Sequence, residues 1–308
     1  MLPIHEVLEP LKAALAARHA AVLSAPPGAG KTTVVPLALL DQPWLDGRKV
    51  LVLEPRRLAA RAAAERMAQT LGEPAGRTVG YRTRAQTRVS AATRVEVVTE
   101  GVFTRMILSD PGLDGVGAVL FDEFHERSLD ADLGLALARE AQGLLRDDLR
   151  LLVMSATLDQ VGIAALLDDA PVIESEGRMF PVETRYAGRS PAERIEDAVA
   201  RAVRLALNEE TGSMLVFLPG QGEIRRVHER LAPLENDRLM LAPLYGALDR
   251  RDQDRAIEPA PAGVRKIVLA TAIAETSLTI EGVRVVIDAG LSRVPRFDPA
   301  SGLTRLAT

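Results

Sequence analysis

The sequence contains no cysteine. That absence excludes disulfides, thiolate metal sites and cysteine nucleophiles, and it suits a cytoplasmic protein. Aromatic residues make up only 3% of the 308 positions, so any nucleic-acid site here rests little on stacked rings. The four histidines, His5, His19, His125 and His228, are scattered and show no metal-ligand spacing. No apolar run approaches the roughly 20 residues of a membrane span, and neither a signal peptide nor membrane attachment is expected. Excess charge is also lacking. The formal net charge of −4 argues against a general polyanion binder but leaves room for a local basic groove.

What is present suffices for real cores: 47% of the residues are hydrophobic, in a length that suits one large or two ordinary domains. The chain is organised around Ala25-Pro26-Pro27-Gly28-Ala29-Gly30-Lys31-Thr32-Thr33. A buried strand is predicted just before this stretch, over 20–24, and a helix just after it, over 33–40. A strand, a Gly/Pro-rich turn and Gly-Lys-Thr opening a helix form the context a phosphate-binding loop needs. Glycines let backbone N–H groups converge on phosphate oxygens, and the helix adds its positive N-terminal end. In that reading Pro27, Gly28, Ala29, Gly30, Lys31, Thr32 and Thr33 cradle a nucleotide's phosphates. Lys31 reaches the outer ones and the Thr32 hydroxyl ligates Mg²⁺. Ala25 stands where the G-x-x-x-x-G-K-[ST] pattern has its first glycine. An ordinary strand–turn–helix corner is the competing explanation, and the flanking pattern counts against it.

Residues 4–18 show helical spacing, with Pro10 expected as a kink. After the phosphate loop, four apolar runs at 49–53, 94–98, 118–121 and 151–154 read as strands alternating with helices. Their polar ends are Glu54-Pro55-Arg56-Arg57, Thr99-Glu100-Gly101, Asp122-Glu123-Phe124-His125 and Ser155-Ala156-Thr157. Apolar strands with chemistry just past their carboxyl ends predict a parallel α/β sheet that binds ligands along that edge. A linker is expected from Gly177. Alternation then restarts, with helices over 192–210 and 222–234 and strands over 214–218, 239–244, 266–270 and 284–287. Two domains of one class are expected, residues 1–176 and 177–308.

Asp122-Glu123 at the end of a buried strand suits a Mg²⁺ shell held by the first carboxylate and a water oriented or deprotonated by the second. Taken alone, such a pair is more often solvated loop charge; the phosphate loop in the same domain changes its meaning. His125 alone would be an ordinary half-buried histidine. Beside the acid pair it reads as a catalytic coupling residue, bonding across the cleft or to Ser155 or Thr157. Ser155 and Thr157 suit a nucleotide sensor and equally a helix cap, and the two roles are compatible. Arg56, Arg57 and Thr99 lie at neighbouring strand ends, and Arg82, Arg84, Arg88 and Arg94 form a local basic run. These groups suit a sugar–phosphate backbone rather than base reading. A solvated charged face is the better account of Arg88 and Arg94 and the poorer one of Arg57.

Gly-Ala-Gly-Lys-Thr, Pro-Arg-Arg, Thr-Glu-Gly, Asp-Glu-Phe-His, Ser-Ala-Thr and Thr271-Ala-Ile-Ala-Glu-Thr-Ser-Leu-Thr279 occur in that order. The sequence therefore resembles the DEAH-box helicases of superfamily 2. Asp122-Glu123-Phe124-His125-Glu126-Arg127 and Leu2-Pro3-Ile4-His5 point to their bacterial HrpB-type branch. The likeness runs over essentially the whole chain and departs at Phe124, where the family's box has alanine. That change is expected to alter packing beneath the box without removing a metal or water contact. The resemblance implies an α/β fold of two RecA-like (P-loop NTPase) domains, parallel sheets flanked by helices, acting on ATP with Mg²⁺ and on single-stranded RNA or DNA. It implies Asp122 as holder of the metal shell, Glu123 as general base, and Ser155 and Thr157 as couplers of hydrolysis to movement. Arg57, Thr99, Thr276 and Ser277 would contact the strand backbone. Arg66 would stack on adenine, Ile257 stands where an aromatic closes the other face, and Thr279 and Glu281 take the ribose side. With Ile257 in that place, several nucleoside triphosphates should be accepted.

The family's Gln-Arg-x-Gly-Arg-x-Gly-Arg run, the source of its arginine fingers, is absent from the 308 residues. The expectation is a truncated core with an incomplete second domain. Loss of such fingers costs ~10³–10⁵ in rate, so weak hydrolysis is expected. A monomer translocating 3′→5′ is the activity implied for the family. Two other classes compete. A P-loop switch or transporter would carry Asn-Lys-x-Asp or an LSGGQ-like signature, and neither is present. A nucleic-acid-binding scaffold without catalysis would not need Lys31, Asp122 and Glu123 intact.

Overall fold

The computed structural model describes residues 2–156, 160–177, 181–275, 278 and 280–308. The chain divides into two compact units, Met1–Pro181 and Val182–Thr308.

The first unit is built on eight strands: β1 (Ala20–Ser24), β2 (Lys49–Glu54), β3 (Val79–Arg82), β4 (Thr87–Arg88), β5 (Val95–Thr99), β6 (Val116–Phe121), β7 (Arg150–Ser155) and β8 (Val172–Glu174). They lie in the order β4-β3-β5-β2-β6-β7-β1-β8. Every pairing is parallel except β3–β4. Successive side chains of a strand face opposite sides, and here both sides are apolar. Val50 and Val52 join one core with Leu11 and Leu15 of α1 (Leu8–Arg18), Val35 of α2 (Lys31–Ala38) and Met67 of α3 (Arg57–Thr70). Leu51 and Leu53 join the other, with Phe103 of α4 (Glu100–Ser109), Leu135 of α5 (Leu129–Leu144) and Ile163 of α6 (Gln160–Leu166).

Two helices depart from their expected form. Pro10 does not kink α1: it sits in the first turn, where a missing N–H removes no helical bond, and a separate 3₁₀ turn covers Pro3–Val7. α2 opens at Lys31, two residues earlier than the pattern suggests. Gly30, at φ +101°, makes the turn immediately before it, in the left-handed region that glycine enters without a Cβ clash.

The second unit repeats the plan on a smaller scale. β9 (Ser213–Phe217), β10 (Leu239–Leu244), β11 (Arg265–Ala270) and β12 (Val283–Asp288) form a parallel sheet in the order β10-β11-β9-β12. Helices α7 (Ile195–Glu209), α8 (Gln221–Leu231) and α9 (Arg250–Ile257) accompany it. Val199, Val203, Ile224 and Val227 pack with Met214, Val216, Ile267 and Leu269. An antiparallel hairpin, β13 (Val294–Asp298) and β14 (Leu303–Ala307), completes it. Lys266 is fully buried in β11. Its Nζ donates to the Ala256 carbonyl at 2.7 Å and to the Glu258 carbonyl, so it caps the carboxyl end of α9.

The β3–β4 pair depends on Gly80. A Cβ there would collide with the Arg88 carbonyl oxygen and crowd Val89 Cγ1 at 3.0 Å. Gly80→Ala should therefore destabilise the first unit by about 1–3 kcal/mol, the usual cost of overpacking against backbone. Urea unfolding followed by the fluorescence of Trp44, the single tryptophan, reads this unit separately. An unchanged midpoint would show that β4 contributes nothing to the sheet.

Candidate functional site

Strand register decides which polar ends meet. β1 pairs with β7 so that Ser24 faces Ser155, and β7 with β6 so that Val153 faces Phe121. β6 pairs with β2 so that Phe121 faces Leu53, and β2 with β5 so that Glu54 faces Thr99. Along the carboxyl edge the order is Arg82, Thr99, Glu54, Asp122, Ser155 and the loop after Ser24. The edge thus has two halves. One carries Arg82, Thr99 and the Glu54–Arg57 corner at the ends of β3, β5 and β2, the other Asp122, Ser155 and the glycine-rich loop at the ends of β6, β7 and β1.

The loop after β1 is anchored at Ala25, whose amide donates to the Ser155 carbonyl at 3.0 Å. Ala25 is buried at the position where the phosphate-loop pattern has glycine, so its methyl fits the core instead of crowding the cradle. Gly28 and Gly30 both take positive φ, +77° and +101°. A Cβ at Gly30 would press on Leu2 Cδ1 at 3.0 Å and Ile4 Cγ2 at 3.1 Å. Pro27 and Gly28 are exposed, and Ala29 is buried. Among the described residues, the amides of Gly28, Gly30, Lys31, Thr32 and Thr33 donate to no backbone carbonyl. A run of open N–H groups at a helix start is what a polyphosphate requires. Lys31 is 3% exposed, and its Nζ donates to the Ala25 carbonyl at 2.9 Å.

The cradle and the acid pair meet directly: the Thr32 hydroxyl donates to Asp122 Oδ2. Asp122 Oδ1 accepts from the Glu123 amide at 2.9 Å, and both acidic residues are buried, 3% and 8% exposed. Burial pushes both carboxyls up. For Glu123 the charge of Asp122 adds to burial against the attraction of Lys31, reaching about 7. A hydroxyl beside carboxylates is a hard-oxygen donor set suited to Mg²⁺, which keeps several waters and needs only one or two protein ligands. The described residues contain no cluster of three or more His, Asp or Glu able to cage a metal by themselves. The ring Nδ1 of His125 lies 3.4 Å from Glu123 Oε2, without hydrogen-bond geometry. Burial, then the Lys31 charge, lowers the His125 pKa, so the ring is neutral near pH 7 and the contact is not an ion pair.

Sequence reasoning did not single out Glu54. It is 0% exposed, among the described residues no donor outside the acid cluster bonds its carboxyl oxygens, and burial followed by the charges of Asp122 and Glu123 raises its pKa well above the usual carboxylate value. Its position at the end of a strand was legible, but its neighbour was not, because only the sheet order puts β2 beside β6. Nor was Glu126 singled out. Its Oε2 accepts from Arg56 Nη2 at 3.2 Å, joining the two halves of the edge.

The other candidates separate. Arg57 is exposed at the first position of α3, Arg66 is exposed further along that helix, and Arg84 is exposed between β3 and β4. Thr99 is half-buried at the start of α4, and Ser155 is buried. The basic run divides. Arg82 Nε pairs with buried Glu96 at 2.8 Å and Arg94 Nε bonds the Arg48 carbonyl at 3.2 Å, which leaves Arg84 and Arg88 exposed. In the second unit Ile257 is half-buried at the end of α9 and Glu281 is exposed. Thr157, Thr276, Ser277 and Thr279 lie outside the described residues.

A carboxyl whose pKa is raised by folding stabilises the folded state fully only below its unfolded value, ~4.3, and loses that contribution as pH rises through the folded value. Glu54→Gln removes this loss. With a chelator present, the variant should unfold at a higher temperature than wild type at about pH 8, with a flatter profile from about pH 5 to 8. A lower midpoint across the whole range would mean that the Glu54 carboxyl is stabilised as an anion.

Comparison with known proteins matches residues 8–164 to the DEAD/DEAH box helicase family and residues 195–303 to the helicase conserved C-terminal domain. ATP-dependent RNA helicase HrpB of Escherichia coli (strain K12) is 58% identical over 307 residues. That match takes in 100% of this chain and 38% of the relative, so the chain spans well under half of the relative's length. A crystal structure of Escherichia coli DEAH/RHA helicase HrpB superposes with a TM-score of 0.91 at 57% identity, covering 99% of this chain and 39% of that one. A second, of the E. coli DExH-box NTPase HrpB, gives 0.81 at 57% identity, covering 99% and 38%. Both units thus have counterparts in one helicase, and the chain belongs to the DEAD/DEAH box helicase family.

Proposed function

We propose that the chain is the motor core of an ATP-dependent RNA helicase. It binds Mg–ATP on the carboxyl edge of the first sheet, hydrolyses it, and uses the cycle to move 3′→5′ along single-stranded RNA or DNA and open duplexes. In this reading residues 1–176 are the ATP-binding lobe and 177–308 the second lobe, acting as a monomer in the cytoplasm. The observation that carries the proposal is the bond from the Thr32 hydroxyl to Asp122, which joins a phosphate-type cradle to a buried acid pair. The name of the 58% identical relative supports RNA as the strand.

Each residue then has a task. The open amides of Gly28, Gly30, Lys31, Thr32 and Thr33 and the Lys31 ammonium hold the outer phosphates. Thr32 and Asp122, with Glu123 beside them, would hold the metal. When bound, Mg²⁺ supplies neutralisation of charge on the phosphate oxygens. Glu123 orients the attacking water and accepts its proton, and a pKa near 7 suits a base working at neutral pH. Neutral His125 lies against Glu123 and limits the positions its carboxyl can take. Arg56, Arg57, Arg84 and Thr99 present donors to a strand's phosphates, with Thr276 and Ser277 contributing from the second lobe. Arg66, Ser155, Thr157, Ile257, Thr279 and Glu281 keep the nucleotide-side roles that the family resemblance gives them. Aliphatic Ile257 makes base selection loose, so several nucleoside triphosphates bind.

Titration with a fluorescent ATP analogue and Mg²⁺ tests the site. Losing the charge-assisted contacts of Lys31 costs about 1.5–3 kcal/mol, so Lys31→Ala should weaken binding roughly 10- to 150-fold. Unchanged affinity would remove the nucleotide site from Gly28–Thr33. Because the 308 residues hold no arginine-finger run, hydrolysis should stay slow with or without single-stranded RNA. Fast, RNA-stimulated turnover by this chain would overturn that part.

A further inference from the structure

The turn that carries the acid pair is strained at both ends. Glu123 at φ +49° and Arg127 at φ +45° are non-glycine residues in the left-handed region, on either side of the 3₁₀ turn Phe124–Glu126. Such conformations persist only where the surroundings over-determine them. Three side chains do so here. Phe124 is buried and meets Phe121 edge-on at 6.1 Å. The Arg127 guanidinium lies 5.5 Å from the Phe124 ring centre and pairs with Asp132 at 3.0 Å. Glu126 pairs with Arg56 at 3.2 Å. The first two tethers stay within the Asp122 half of the edge. The third alone reaches the end of β2, where Arg56 sits beside Arg57. The Glu126 amide also donates to the Glu123 carbonyl at 2.9 Å, so displacement of Glu126 is felt at the backbone of the catalytic base.

We propose that Glu126 is a positioning residue for Glu123, and that its ion pair with Arg56 couples strand binding to the nucleotide site. The inference rests on the function proposed above and adds the device that links its two ligands. Both members are half-buried, with side chains 23% and 19% exposed, so their attraction is less screened than that of a surface pair. Arginine pairs with phosphate as readily as with carboxylate, through the same planar fork. A strand phosphate arriving at the Arg56–Arg57 corner competes with Glu126 for the Arg56 guanidinium. Any share it takes loosens one of three tethers on a strained turn and alters the free energy of the Glu123 conformation. Linkage makes the effect reciprocal: nucleotide held against the Glu123 turn alters strand affinity by the same factor.

The experiment measures affinity for a fluorescent, non-hydrolysable ATP analogue with Mg²⁺, with and without saturating single-stranded oligouridine. Their ratio is the coupling factor, and couplings of this kind run about 5–150-fold. Wild type should show such a factor, Glu126→Gln should bring it towards 1, and Glu126→Asp, which keeps the charge, should restore part of it. A merely structural role would shift the urea midpoint read from Trp44 and leave the ratio intact. A Glu126→Gln variant with the wild-type ratio overturns the inference, whether or not its midpoint moves. A wild-type ratio of 1 with both ligands bound overturns it as well, while leaving the proposed function standing. Failure of wild type to bind the nucleotide or the oligouridine overturns the function itself, and the inference with it.

Discussion

The hydroxyl of Thr32 and the carboxylate of Asp122 lie 90 positions apart in sequence, and their hydrogen bond is the constraint around which the first unit is built. Three adjacent parallel strands are needed to make it, with β7 between β1 and β6 in a register that brings all three carboxyl ends level. Burying a carboxylate is costly unless donors meet it. At Asp122 they are the Thr32 hydroxyl and the Glu123 amide, with the Lys31 charge nearby. A hydrogen bond to a charged group contributes about 1.5–3 kcal/mol, comparable to the cost of leaving such a group unmet. Asp122 is therefore tolerated where it stands, whereas Glu54 beside it meets no backbone amide or hydroxyl among the described residues and shifts towards its neutral form.

The second unit handles buried charge differently. Among the described residues Lys266 pairs with no carboxylate at ion-pair distance; its ammonium donates to the Ala256 and Glu258 carbonyls at the end of α9, and burial lowers its pKa against the charge of Glu258. Those carbonyls flank Ile257, so the position that the family resemblance assigns to the base is fixed through the backbone rather than by a stacked ring. With 3% aromatics in the chain, this economy is general.

The sequence carried the strands better than their arrangement. Residues 20–24 and 239–244 were legible to the residue, because apolar runs between turn letters leave little choice. Val79–Arg82 was not. It contains Gly80 and ends in an arginine whose partner, Glu96, lies on another strand. The hairpin strands Val294–Asp298 and Leu303–Ala307 were obscured by Pro295 and by arginines in each strand. At the site, local letters announced the glycine loop and the acid pair. Glu54 and Glu126 stayed hidden, since their significance comes from the crossovers that seat β2 against β6, and no stretch of sequence encodes a neighbour 60 or more positions away.

Phe124 shows how a departure from the family pattern is accommodated. An alanine in that place would leave the turn held by little more than its two arginine ion pairs. Burying a phenylalanine side chain yields about 1.5–3 kcal/mol, and each left-handed non-glycine residue costs about 1–3 kcal/mol. One ring can therefore offset about one of the two strained residues, Glu123 or Arg127, but not both. The remainder falls to the Arg127–Asp132 and Arg56–Glu126 pairs, which are weaker and more exposed. The turn is held firmly from beneath and lightly from its flanks. A ligand that competes for an arginine can thus act on its edges while the floor under Asp122 stays fixed.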